Sequence, residues 1–308
     1  MDKNMLSEII SFQTNGIVSV VEFNTKKVNT IDYISGASAM GKNYIEVKEI
    51  SQSGSVNNLV VENKSDKYVF FSDGDILSGA KQNRVLNASV FLSPNSQKQI
   101  PVSCVESGRW HSESPKFNAT DYTSPSNLRA INAEHVNKNL ENAQGHYSDQ
   151  NEVWNMVKLY CKNSSIDSVT QNLSDVFEIK KRNIEEFNEP LQASEKANGL
   201  SVFVKKQLLS IEIFNRTDIY KEYFSKILKG VSAEAYYLMD NDEKLEEVEA
   251  TYKTSVFFDE LGNRKFKQFC GVGVGSEKRY TANDFSGFTL EYEGHLIHLA
   301  MLSLLRKD

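Results

Sequence analysis

The chain is poor in cysteine and in proline, and it has no long apolar run. Each shortage closes off a class of explanation. Of 308 residues only three are cysteines, Cys104, Cys161 and Cys270. They are scattered, odd in number and outside any CxxC pair, so they give no disulfide framework and no zinc motif, and they suit a reducing compartment. The five histidines, His111, His135, His146, His295 and His298, show no HxxxH spacing. No metal site is expected. No apolar stretch approaches the roughly 20 residues that cross a bilayer, and MDKNMLSEII lacks the basic start and apolar core of a signal peptide. An excess of basic residues is also missing: Lys and Arg number 35 against 41 Asp and Glu, a net charge of −6. That argues against a dedicated nucleic-acid binder. The expectation is a cytoplasmic protein with neither a membrane nor a nucleic-acid partner.

What remains is ordinary globular composition, 40% apolar and 25% charged, in a chain long enough to bury a core unaided. Up to residue 104 it reads mainly as short strands, among them IVSVVEF, NYIEVKEI, NNLVVEN, KYVFFSD, RVLNASVFL and QKQIPVSCV. SDK reads as a hairpin connection and DYISGASAM as a short helix. Residues 111–125 are polar and read as a loop, followed by a helix from Ser126 to Ala143. Helical spacing recurs at Val153, Val157 and Tyr160, and again at Val169, Leu173, Val176, Lys180, Ile184 and Phe187. Ser168 reads as a cap and Pro190 as a stop. Two strands over 199–214 and a helix from Thr217 carrying Tyr220, Phe224, Ile227, Val231 and Leu238 on one face follow. An acidic stretch over 240–250 reads as exposed. A short helix over 251–261 and the strands KFKQFCGVGVG, GFTLEYEG and HLIHLAMLSLL finish the chain. The expected fold is α+β. An antiparallel β-rich N-terminal lobe, sandwich or barrel-like, over 1–110 packs with a mixed helical and strand lobe over 111–308. The absence of a clean linker makes 1–308 one compact domain.

Chemical variety concentrates in two segments. GDILSGAKQNR brings Asp73, Asp75, Lys81, Gln82, Asn83 and Arg84, and SCVESGRW brings Cys104, Glu106, Arg109 and Trp110. Lys81 and Arg84 suit phosphates, Arg84 with two parallel hydrogen bonds. Gln82 and Asn83 suit an amide, a ribose or a base edge. The competing account is a turn whose polar side chains satisfy nearby backbone groups. Trp110 suits stacking on a base. Arg109 and Glu106 suit an ion pair, and Glu106 equally a ligand contact or a general base. Cys104 reads as a small buried residue, because no histidine is placed to activate it. Asp73 and Asp75 would share one side of an extended strand and could do acid–base or metal chemistry; a DGD turn also forms for conformational reasons alone. GVGVG at 271–275 is not a dinucleotide fingerprint, and His295 and His298 would face opposite sides of a strand.

The run from Asp73-Gly74-Asp75 through Gly79 to Arg84, Leu86-Asn87, Ser89, Ile100 to Glu106 and Gly108-Arg109-Trp110 resembles the ADP-ribosylglycohydrolase and rhodanese-phosphatase-superfamily-associated protein domain. The resemblance continues through DQNEVWNMV, FSGFTLEYEG and HLIHL and so covers nearly the whole chain. Asp75 stands where the family often has Glu. The family name records association with ADP-ribose-related enzymes, which implies a link to ADP-ribose or NAD-derived nucleotides. The expectation is therefore a nucleotide-like ligand held by Lys81, Gln82, Asn83, Arg84, Arg109 and Trp110. Two alternatives stand beside it: a hydrolase or transferase using Asp73, Asp75 or Glu106, and a scaffold whose polar motifs lock the fold.

Overall fold

The computed structural model describes residues 5–305, except 52, 112, 113, 115, 236–243 and 283. Leu238 and the first part of the acidic stretch, 240–243, lie outside the described residues. The chain opens with β1 (Leu6–Asn15), β2 (Val18–Thr25), β3 (Ile34–Ser35) and the short helix α1 (Gly36–Gly41). Then come β4 (Ile45–Glu49), β5 (Asn58–Asn63), β6 (Val69–Phe71), β7 (Asp75–Gly79), β8 (Arg84–Leu86) and β9 (Val90–Leu92). After β10 (Ser96–Cys104) and β11 (Phe117–Thr123) lie α2 (Ser126–Glu141), α3 (Gln150–Asn163), α4 (Leu173–Ile179) and α5 (Lys181–Asn188). β12 (Gly199–Val204) and β13 (Gln207–Phe214) lead to α6 (Thr217–Ala235) and α7 (Glu247–Leu261). β14 (Lys267–Cys270), β15 (Val272–Gly273), β16 (Ser276–Thr281), β17 (Phe285–Tyr292) and β18 (His295–Ser303) complete the order.

The fold is α+β and strand-rich. An eight-stranded sheet runs β1-β2-β12-β13-β18-β17-β16-β14 and is antiparallel throughout. A six-stranded sheet, β11-β7-β8-β10-β5-β4, curls into a half-barrel, and a small sheet, β15-β9-β6-β3, joins them. The large sheet takes its first two strands from the start of the chain, so it does not respect a boundary at residue 110. Between the sheets lies a core of Phe70, Phe91, Phe214, Tyr220 and Tyr223. α6 runs along this core with Tyr220, Phe224, Ile227 and Val231 inward, as its apolar spacing dictates.

Several expectations change. SDK does not close a hairpin: β5 pairs with β4 and β10, whereas β6 pairs with β3 and β9. The side chain of Asn63 turns the chain there, donating to the carbonyls of Lys67 and Ser93. RVLNASVFL is two strands in two sheets, broken at Asn87 and Ala88. The stretch read as a loop contains β11, an edge strand with Asn118 and Asp121 exposed and Phe117, Tyr122 and Thr123 buried. Val169 is not on a helix face and is 96% exposed; α4 starts at Leu173, capped by Asn172 rather than by Ser168. Lys180 separates α4 from α5. α7 begins at Glu247, ahead of the expected start, and SEKRYT forms β16, a strand whose charged side chains hide it in the sequence.

Candidate functional site

The two motifs meet. β8 pairs with β10 with Arg84 opposite Cys104, which brings GAKQNR beside SCVESGRW. Glu106 is 3% exposed. It accepts from Arg109 Nε at 2.8 Å and a terminal Arg109 nitrogen at 2.6 Å, and from the Asn83 N–H at 3.1 Å. The other end of the Arg109 guanidinium donates to the carbonyls of Ala80, at 2.6 Å, and His111, at 3.1 Å. Asn83 Oδ1 accepts from the Gly79 N–H, and its amide donates to Asn172 and Ser174 at the start of α4. Arg84 is fully buried and donates to the Gln82 carbonyl at 3.0 Å and to Glu49 Oε1 and the Ser55 carbonyl at 3.4 Å. Gln82, 3% exposed, lies against the same guanidinium. Gly108 lets the chain pass Thr170, since a Cβ there would stand 2.7 Å from the Thr170 Cα. Buried charges need pairing and hydrogen bonds; Glu106 and Arg109 have both, whereas Arg84 keeps its terminal nitrogens bonded and its Nε without a partner among the described residues. Glu106, Arg109, Asn83, Arg84 and Gln82 form an internal lock.

Two members of the set reach the surface. Trp110 is 46% exposed. Lys81 Nζ lies 5.4 Å from its ring centre and Arg84 Cζ 5.7 Å, both at cation–π range. Lys81 donates to the Ser53 carbonyl at 2.9 Å. Among the described residues it has no carboxylate within ion-pair distance.

The two aspartates diverge. Gly74, at φ +76°, makes the turn between them, and a Cβ there would meet Arg129 Cδ at 2.5 Å. Asp73 accepts from Arg129 at 3.2 and 3.0 Å, and Arg129 also grips Glu212 at 2.7 and 2.8 Å. Burial acts against both the Arg129 and Glu212 charges, but attraction wins: Asp73 and Glu212 push Arg129 up, and Arg129 with His298 holds Glu212 down. His298 sits beside them, hydrogen-bonded to Ser89 at 2.9 Å, while Ser89 Oγ accepts from the Asp73 N–H. His295 is apart, on Thr30. Asp75 turns to α6 instead. It accepts from the Tyr223 hydroxyl at 2.6 Å, the Ser72 N–H at 3.0 Å and Lys226 Nζ. Burial and then Asp75 itself raise the Tyr223 hydroxyl well above its ordinary range. Cys104 is buried, and burial pushes its thiol up to about 11. Among the described residues no group of three His, Cys, Asp or Glu is placed to hold a metal ion.

The family model of the ARG and Rhodanese-Phosphatase-superfamily-associated Protein domain, ARPP-1, matches residues 7–302. The chain belongs to this family. No curated protein and no solved structure matches it. The ARPP-1 match spans both sheets, so the motif lock and the Asp73 and Asp75 networks all lie inside it. Arg129, Glu212, Tyr223 and Lys226 stand outside the sequence motifs, while His298, set apart from His295 by strand alternation, is a buried core histidine bonded to Ser89. Glu212 carried a signal: it is a lone charge in the apolar strand LLSIEIF. Lys226 carried none, since a lysine among helical apolar residues usually marks the solvent face.

Proposed function

We propose that this ARPP-1 domain binds an ADP-ribose-like or other NAD-derived nucleotide on the face formed by Lys81 and Trp110. The observation that carries the reading is a half-exposed indole beside an ammonium without a carboxylate partner among the described residues. An aromatic face takes a base by stacking, and Lys81 takes a phosphate oxygen. In this reading Gln82, Asn83, Arg84, Glu106 and Arg109 hold the platform still, which is the supporting shell a binding residue needs. The family's association with ADP-ribose-related enzymes supports the ligand class.

A second reading keeps the same residues as a scaffold, and the number of motif side chains spent on internal bonds favours it. Calorimetric titration with ADP-ribose and NAD separates the two. The nucleotide reading expects saturable binding that Trp110→Ala weakens by about tenfold or more, the worth of one base–aromatic stack, with the melting temperature unchanged within a few degrees. Absence of any heat in the folded wild type removes it and leaves the scaffold.

A further inference from the structure

β4 and β11 are the two edges of the six-stranded sheet, and the half-barrel leaves them unpaired with each other. Between them, with α1 and α6 at the sides, lies a cleft of about 520 Å³. Met40, Ile45 and Phe117 give it apolar walls. At its floor is Lys226, whose side chain is only 9% exposed. An ammonium has three N–H donors. Among the described residues Lys226 has one acceptor, Asp75, and its charge also lies 4.8 Å from the Tyr223 ring. Asp75 is spent on Tyr223, the Ser72 N–H and Lys226. The lysine is therefore fixed from below and keeps hydrogen-bonding capacity toward the cleft, where a nearly buried charge needs it.

The wall charges decide the ligand. Lys116 is paired with Glu46 at 3.4 Å and Lys229 with Asp121 at 2.5 Å. Glu222 is held by the hydroxyls of Ser35 and Ser38. With Asp75 beneath, the lysines of the cleft are outnumbered by carboxylates by one. A diphosphate would add several negative charges to that excess. A single carboxylate adds one, and Lys226 has the donors to receive it.

The geometry points to a second ligand site, separate from the Lys81–Trp110 face: a monocarboxylate with an apolar body binds in this cleft, its carboxylate on Lys226. Lys226 contacts the ligand, and Asp75 and Tyr223 position Lys226. The test is NMR titration of the full chain with benzoate, following the methyl groups of Met40 and Ile45. Saturable shifts of both are expected. Ser225 lines the cleft from an exposed position on α6 and makes no bond to Asp75 or Tyr223, and Ser225→Trp, which fills the cleft, should weaken benzoate at least tenfold. The paired variant Asp75→Asn/Lys226→Met removes the floor charges together and should do the same while folded. Inorganic pyrophosphate should not displace benzoate. Failure of benzoate to shift either methyl in the folded wild type overturns the proposal. So does equal affinity in Ser225→Trp, or displacement by pyrophosphate. ADP-ribose affinity in Ser225→Trp is expected to match the wild type, which keeps this outcome distinct from that of the nucleotide face.

Discussion

Glu234 is buried on α6, accepting from the Tyr160 hydroxyl at 2.6 Å and the Asn127 N–H at 2.8 Å. Burial outweighs these bonds and pushes its carboxyl up to about 7. An unfolded glutamate loses its proton near 4.3, so between there and 7 the native state holds a proton that the unfolded state has released. The stability this contributes is complete below the unfolded value and is lost as pH rises through 7. Glu234→Gln removes the titration. The wild type is expected to lose up to about 3 kcal/mol relative to the variant between pH 4 and pH 8. Urea unfolding across that range checks it, and parallel curves would contradict it. At the same scale Glu106 shows what one sequence hides. Its residue type fitted ligand contact, general base and ion pair alike; the ion pair with Arg109, three residues on, is local, and the pairing of β8 with β10 adds the Asn83 N–H as a further donor. Glu106→Gln should cost about 3–5 kcal/mol by leaving the Arg109 charge without its carboxylate, measured as a shift in the urea midpoint.

Among the elements, those with strong local signals were legible: β2, β17 and β18 by their strand-like runs, α3 and α6 by helical spacing, and α2 by its Ser-Pro entry. β11 was not, because FNATDYT is mostly polar and its buried Phe117, Tyr122 and Thr123 follow no alternation of period two. The SDK turn misled because residues beside a strand end look the same whether the next strand pairs or leaves for another sheet. The lock ties elements together through close approach, and this predicts a backbone effect. Ser107 and Gly108 donate to the Thr170 carbonyl at 3.1 and 2.8 Å, joining the end of β10 to the segment before α4. Gly108→Ala should destabilise by about 1–3 kcal/mol, the usual cost of overpacking. A melting temperature equal to wild type would show that the two segments part readily.

The whole molecule is held by ions as well as by apolar packing. Asp73, Arg129 and Glu212 join the motif turn, α2 and the centre of the large sheet, with His298 from the neighbouring strand alongside. A buried pair broken from one side is costlier than one replaced whole. Arg129→Met should therefore destabilise by about 3–5 kcal/mol, and Asp73→Asn/Arg129→Met/Glu212→Gln should recover part of it in denaturant unfolding. This network joins residues 73, 129 and 212, a span no local pattern announces. The motifs were legible as unusual chemistry, but whether they faced a ligand or the interior was fixed by sheet order. The structure turns most of them inward and leaves Lys81 and Trp110 outside. The measurement that tests the proposed role of that face most directly is fluorescence of Trp110 during ADP-ribose titration. Trp154→Phe leaves Trp110 as the single tryptophan of the chain, and Trp154 Nε1 has no hydrogen-bond partner to lose. Saturable quenching is the expected result, because a stacked base meets the indole face. An unchanged spectrum from the folded variant at ligand excess would contradict the account.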